Sequence, residues 1–159
     1  MRRNIPIERS KGTVSVPERL RVLDATQRHA VLATCPEGGL HTSLITFALT
    51  PDVKGLLFAT PKRTLKYRNI LKHNAVSLLI DTRSNTESDY LNAEAVTISG
   101  NAVPVRRGMK WKKLAGIFLR KHPELRGFVE SPSSALILVK ATRCSHVGSF
   151  QTVAEWKVE

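Results

Sequence analysis

Between Lys54 and Ile80 the chain has no Asp or Glu, yet the same window holds Lys54, Lys62, Arg63, Lys66, Arg68, Lys72 and His73. Its centre, Thr60-Pro61-Lys62-Arg63-Thr64-Leu65-Lys66, reads as a strand end, a loop and a helix start. Pro61 breaks the strand, and Thr64 is a suitable N-cap. The first amides of a helix have no intrahelical acceptor, and the helix dipole adds positive potential at that end. Threonine hydroxyls and a lysine at the second helical position would turn such a terminus into a cradle for one phosphate monoester. The alternative is a plain cap whose lysines solvate the exposed helix face.

A second basic block, Arg106-Arg107-Gly108-Met109-Lys110-Trp111-Lys112-Lys113, has the composition of a nucleic-acid patch with one interleaved aromatic. Trp111 falls on the apolar stripe of its helix, which assigns it to a core or a dimer interface, and no nucleic-acid motif is matched. The five histidines, His29, His41, His73, His122 and His146, form no HxxxH or His/Cys cluster, so no metal site is expected. A GxSxG elbow, a P-loop and a GxGxxG turn are all absent. Cys35 and Cys144 lie far apart and are expected to be buried, reduced thiols. Redox chemistry in this chain must therefore come from a bound cofactor, and no catalytic residue is assigned.

These residues need a scaffold. The 159 residues, 42% of them apolar, suit one domain with one sizeable core. No apolar run approaches the roughly 20 residues of a membrane helix, and no signal-type stretch follows the N-terminus, so a cytoplasmic protein without a membrane partner is expected. The net charge of +12 favours an anionic partner: nucleic acid, an acidic membrane face or a phosphorylated small molecule.

Residues 1–14 read as a flexible arm and 15–159 as a single domain. Ser15-Val16-Pro17-Glu18 is a capping box opening a helix that ends near His29, with Leu20 and Leu23 inward. Strands over 30–35, 40–49 and 56–60, joined by tight turns, make an antiparallel meander. The helix from Thr64 to His73 turns Leu65, Ile70 and Leu71 inward. Residues 75–81 form a central apolar strand, and 90–105 a long strand kinked at Gly100. An amphipathic helix over 108–122 buries Trp111, Leu114, Ala115 and Phe118, and a short helix over 123–129 follows. Strands over 135–140 and 144–150 close the sheet as a pair, with Trp156 on an extended tail. About seven antiparallel strands with helices at the corners suit a closed barrel, because closure removes exposed edges.

The ordered series VLATCPEGGLHTSLITFAL, LLFAT, TPKRTLKYRNI and NAVSLLID resembles the FMN-binding split-barrel superfamily related to pyridoxamine 5′-phosphate oxidase. The likeness is closest over residues 33–81 and extends more loosely to the C-terminal strands. It implies a mainly β (α+β) fold: an antiparallel split β-barrel with peripheral helices, working as a homodimer with two FMN molecules at the interface. By position, Thr60, Thr64 and Lys66 would hold the FMN phosphate, with Arg63 assisting. The backbone of Ser43, Leu44, Ile45 and Thr46 would face the isoalloxazine ring, and Phe150 would stand beside it.

Departures narrow the implied function. The oxidase has an Arg directly before the phosphate-binding Lys, where this chain has Leu65. Its second strand carries basic residues, where this chain has the neutral LITFAL. The oxidase's C-terminal substrate-phosphate residues have no assignable counterpart. The resemblance thus implies an FMN-binding oxidoreductase, moving hydride or electrons at the flavin N5, with an unknown small substrate. A non-catalytic flavin carrier and a deazaflavin-dependent reductase are the alternatives, followed by a haem-binding relative, although no histidine stands out as an axial ligand. A nucleic-acid-binding module is the rival that charge alone would favour.

Overall fold

The computed structural model describes Ile5 and residues 10–37, 39–149 and 151–159. Its elements, in chain order, are β1 (Ser10–Lys11), α1 (Val16–Thr26), β2 (His29–Thr34), β3 (His41–Thr46), β4 (Ala48–Leu49), β5 (Gly55–Pro61), α2 (Leu65–Lys72), β6 (Ala75–Asp81), α3 (Asp89–Asn92), β7 (Ala95–Pro104), α4 (Met109–Lys121), α5 (Arg126–Glu130), β8 (Ser134–Gly148) and β9 (Thr152–Lys157). One 3₁₀ turn, Pro123–Leu125, precedes α5.

The strands form one mainly antiparallel sheet in the order β1-β9-β8-β7-β6-β2-β3, with β5 pairing β8 and β4 pairing β5. Only Phe47 separates β3 from β4, so the sheet curls round until its path returns through that residue. Phe47 is fixed from three directions. Its amide donates to the Arg28 carbonyl (3.1 Å). His122 Nε2 donates to the Phe47 carbonyl (2.7 Å), and the Lys121 ammonium sits 3.8 Å from the centre of the Phe47 ring. Burial lowers the His122 pKa, which keeps the imidazole neutral in this contact. The single strand expected over 40–49 is therefore two strands.

β8 makes the curl possible. It pairs with β7 along one edge, while its other edge pairs with β5 over 134–140 and with β9 over 143–148. One 15-residue strand replaces the two expected over 135–140 and 144–150, and its partner at the C-terminal end is β9. Trp156 is thus a strand residue, opposite Cys144. The bend falls where the β7–β8 register shifts between Ser99 and Gly100. A Cβ at position 100 would lie 2.3 Å from the Lys140 carbonyl oxygen, so the crossing requires glycine.

Alternation along β5 and β8 builds two cores. Leu56 and Phe58 point into the barrel with Ile137 and Val139, where Leu20 and Leu23 of α1 also pack. Leu57, Leu136 and Leu138 point outward under Trp111, Leu114 and Phe118 of α4. Each such side chain contributes roughly 1.5–3 kcal/mol on burial.

Other departures are local. Ser10–Lys11, within the segment expected to be an arm, pair in parallel with Thr152 and Val153 of β9. α1 ends at Thr26 rather than near His29, because His29 is claimed by β2, opposite Thr46. Asp89–Asn92 form a helical turn, so Tyr90–Asn92 do not begin the long strand. Cys35 is exposed just past β2; Cys144 is fully buried, and burial pushes its thiol up to about 11.

Candidate functional site

β5 ends at Pro61, α2 starts at Leu65, and the loop between them brings the two threonines together. Thr60 is fully buried on the barrel-facing side of β5, and its hydroxyl lies 2.9 Å from that of Thr64. Thr64 is the N-cap. Its Oγ1 donates to the Pro61 carbonyl (2.9 Å) and accepts from the Tyr67 amide (3.4 Å). The amides of Leu65 and Lys66 precede any intrahelical acceptor and stay available to an anion. Lys66 is half-buried and makes no ion pair or hydrogen bond among the described residues. Arg63 is exposed on the loop and lines a neighbouring cleft.

α2 presents a different inner face from the one expected. Ile70 and Asn69 are buried and Tyr67 packs on the core, while Leu65 and Leu71 are exposed. The inner arc runs through positions 66, 67, 69 and 70 because buried Asn69 has a partner there: its Nδ2 donates to Thr34 Oγ1 (3.0 Å). A polar residue on that arc was the signal that locating the apolar residues alone missed. The contact has a positional consequence, since Thr34 lies opposite His41 at the start of β3. The cradle helix and the first residues of β3 therefore occupy the same end of β2.

On β3, Ile45 is buried in the barrel, Leu44 is exposed and Thr46 lies at the far end opposite His29. β3 terminates the sheet path, so one of its edges pairs with no strand among the described residues. Ser43 Oγ is buried and has no hydrogen-bond partner among the described residues. Such an orphan costs on the order of 1–3 kcal/mol, which a polar ligand atom would offset. The structure thus places Thr60 and Thr64 in contact, sets Lys66 at the second position of the helix that Thr64 caps, and puts Ser43 and Leu44 at the adjoining edge. Thr46 is farthest from the cradle. Phe150 lies outside the described residues.

Within the second basic block, Arg107 is taken up by the protein's own contacts. Arg107 Nη2 donates to the carbonyls of Glu130 (3.1 Å) and Ser131 (2.9 Å), and its guanidinium stacks 4.0 Å over the buried Trp111 ring. It closes the end of α5 and is not free for a nucleic acid.

One further cluster joins residues that no local sequence pattern links. Arg19 of α1 grips Glu94 through both carboxylate oxygens, with Nε to Oε2 at 2.9 Å. His146 Nε2 donates to the same Oε2 (2.8 Å), while its buried Nδ1 has no partner among the described residues. The Arg19 hydrogen bond holds the Glu94 carboxyl below the usual glutamate range, and His146 adds to it. The cluster ties α1 to the start of β7 and to β8. No group of metal-binding side chains exists among the described residues, and no described helix is long and apolar enough to cross a membrane.

The sequence matches a family model described as pyridoxamine 5′-phosphate oxidase over residues 16–148. No curated protein matches it. Similar solved structures include a heme binding protein from Mycobacterium smegmatis, with TM-score 0.79 and 20% identity over 92% of this chain. The chain spans only 59% of the length of that protein. A FAD-binding protein from Mesorhizobium loti has TM-score 0.68 and 16% identity, covering 84% of this chain and 92% of that one. HutZ, a heme storage protein from Vibrio cholerae, has TM-score 0.66 and 15% identity, covering 80% and 91%. At these identities the likeness is one of fold.

Proposed function

The chain belongs to the pyridoxamine 5′-phosphate oxidase family, and from that premise we propose that it binds FMN, with the phosphate held by Thr60, Thr64 and Lys66. The observation that carries this reading is the helix start itself. Two hydroxyls in contact, two free amides and an unpaired lysine meet where the surrounding sequence has no acid. A dianionic phosphate would gain charge-assisted hydrogen bonds there that no protein group now supplies. Arg63 would add charge from the loop.

In this reading the free edge of β3 holds the ring. The backbone at Ser43 and Leu44 offers hydrogen bonds, and the Ser43 hydroxyl finds the partner it lacks. Ile45 and Thr46 continue the wall towards the other end of β3. Bound FMN would supply hydride or electron transfer, and the protein would orient it and exclude water without a catalytic acid of its own. The substrate of the vitamin-forming oxidase is not part of the proposal, since Leu65 and the neutral LITFAL strand replace basic residues there.

A homodimer belongs to the same reading. Leu40 (81% exposed), next to the start of β3, and Leu44 (67%) on β3 give that free edge apolar surface that a second copy would cover. A haem-binding role is the second reading. It is favoured by the heme proteins of M. smegmatis and V. cholerae that share the fold.

The deciding experiment is an absorption spectrum of the purified protein, followed by FMN titration of the colourless form. Flavin bands and a saturable FMN site are expected, and Lys66→Ala should weaken FMN roughly 10- to 150-fold, the equivalent of one charged hydrogen bond. An unchanged dissociation constant would remove Lys66 from the site. Stoichiometric haem with a Soret band and no FMN binding would establish the second reading instead.

A further inference from the structure

The acid-free window around the cradle has a counterpart later in the chain. Between Glu94 and Glu124 there is no Asp or Glu, and the stretch carries Arg106, Arg107, Lys110, Lys112, Lys113, Arg120 and Lys121. Two of these cations are held by the protein itself, Arg107 by the carbonyls at the end of α5 and Lys121 by Asp24 and the Phe47 ring. The other five are exposed, and none has an ion pair or a side-chain hydrogen bond among the described residues.

Helical geometry gathers them. α4 turns Trp111, Leu114, Ala115 and Phe118 inward, in one cluster with Leu57, Leu136 and Leu138. The opposite face therefore runs through Met109, Lys113, Gly116 and Arg120, with Lys110 and Lys112 on its flanks. Each flank continues into an open cleft that adds cations: Lys54 and Lys140 beside Lys113 on one side, Arg126 beside Lys112 and Arg120 on the other. The acid in each cleft is already engaged. Asp52 accepts from the Thr50 hydroxyl and the Lys54 amide, and Glu130 pairs with Arg126. Gly116 stands in the middle of this face. A Cβ there would meet nothing within 4 Å, so no contact among the described residues calls for glycine, although glycine inside a helix is less favourable than alanine. What it leaves is access, because a partner can approach the α4 backbone closely between Lys113 and Arg120.

A face of this charge calls for an anionic partner, and its chemistry narrows the kind. The apolar stripe of α4 is used up in the core, so apart from Met109 nothing remains to insert into a membrane or to anchor a protein interface. Its two aromatic rings, Trp111 and Phe118, are buried, which removes the stacking on which single-strand binders rely. Unpaired cations along a helix suit a regular row of phosphates. Thirteen residues make α4 about 20 Å long, and one strand of duplex DNA presents about six phosphates over that length. We propose that the outer face of α4 binds the backbone of duplex DNA without reading its sequence. Lys112, Lys113, Arg120 and Lys140 meet the phosphates, and Gly116 marks the closest approach. This surface shares no residue with the cradle and does not depend on the flavin reading.

The test measures, by fluorescence anisotropy, binding of a labelled mixed-sequence duplex of about 20 base pairs. The matching single strand and anionic phospholipid vesicles are the other arms. With four phosphates neutralised, duplex affinity should fall roughly 150-fold between 50 and 200 mM salt, and a second duplex of different sequence should bind equally well. Lys113→Ala/Arg120→Ala should weaken binding and shrink that salt dependence to roughly tenfold. Lys72→Ala/Lys157→Ala lowers the net charge equally, at exposed positions on α2 and β9, and should keep the full salt dependence. Gly116→Leu keeps the charge and enters open space in the fold, yet should weaken the duplex roughly fivefold or more, the equivalent of one lost hydrogen bond. No duplex binding at 50 mM salt, equal loss in the two double variants, or an unaffected Gly116→Leu overturns the proposal. Tighter binding of the single strand, or of anionic vesicles in place of the duplex, overturns it in favour of that partner.

Discussion

α1 and α2 begin in the same way and end up with opposite roles. Each opens at a hydroxyl cap, Ser15 or Thr64, that accepts from the amide three residues on, and each carries a cation within its first turn, Arg19 or Lys66. At α1 the first turn also contains Glu18, and Arg19 reaches Glu94, which His146 also contacts. At α2 no acid is present in the first turn, and Lys66 has no partner among the described residues. The cap geometry is shared, so it does not make an anion site. What distinguishes the two is charge left unpaired: Arg19 locks α1 to the strands, whereas Lys66 is available to a ligand.

Removing the acid at α1 is the largest expected break in this comparison. Glu94→Ala leaves Arg19 and the buried His146 without their carboxylate. Loss of a hydrogen bond to a charged group costs about 1.5–3 kcal/mol, read as a lower urea midpoint. FMN affinity should stay the same, and a parallel loss of flavin would show that the two helix starts are coupled.

Acid should do the same to the native protein. The Glu94 pKa is lowered in the fold, chiefly by Arg19, so the unfolded chain takes up its proton first as pH falls. Its contribution is complete above the ordinary glutamate range and is lost as pH drops below that range through the folded pKa. Glu94→Gln should flatten that part of the stability profile between about pH 5 and 3 relative to the wild type. A profile of unchanged steepness would mean that other carboxylates dominate acid unfolding.

The smallest effects compare the caps directly. Ser15→Ala and Thr64→Ala should each destabilise the fold by about 1 kcal/mol in denaturant unfolding. Only Thr64→Ala should also weaken FMN. Equal flavin affinity in the two variants would reduce Thr64 to a cap and nothing more.

Much of this arrangement could be read along the chain. The Thr64 cap, the acid-free window, the central strand over 75–81 and the kink at Gly100 are local patterns, and each is where those patterns place it. Two features depend on distant partners. A short helix with scattered apolar residues fits more than one inner arc, and the Asn69–Thr34 bond selects the one that leaves Leu65 and Leu71 exposed. The residues at the bend of β8 resemble a turn, while pairing to β5 on one half and β9 on the other keeps the strand continuous.

Helix capping, charge exclusion and strand-to-helix order act over a few residues, so the basic helix start at Thr64 is legible along the chain. Which cations are free depends on contacts between distant segments. Arg19 and Glu94 are 75 residues apart, Glu94 and His146 are 52 apart, and Arg107 meets Ser131 across 24. Pairing of that kind depends on how the sheet curls, and no spacing along the chain encodes it. Charge composition counted every lysine and arginine alike; the fold neutralised some within its own contacts and left Lys62, Arg63 and Lys66 together at one helix start.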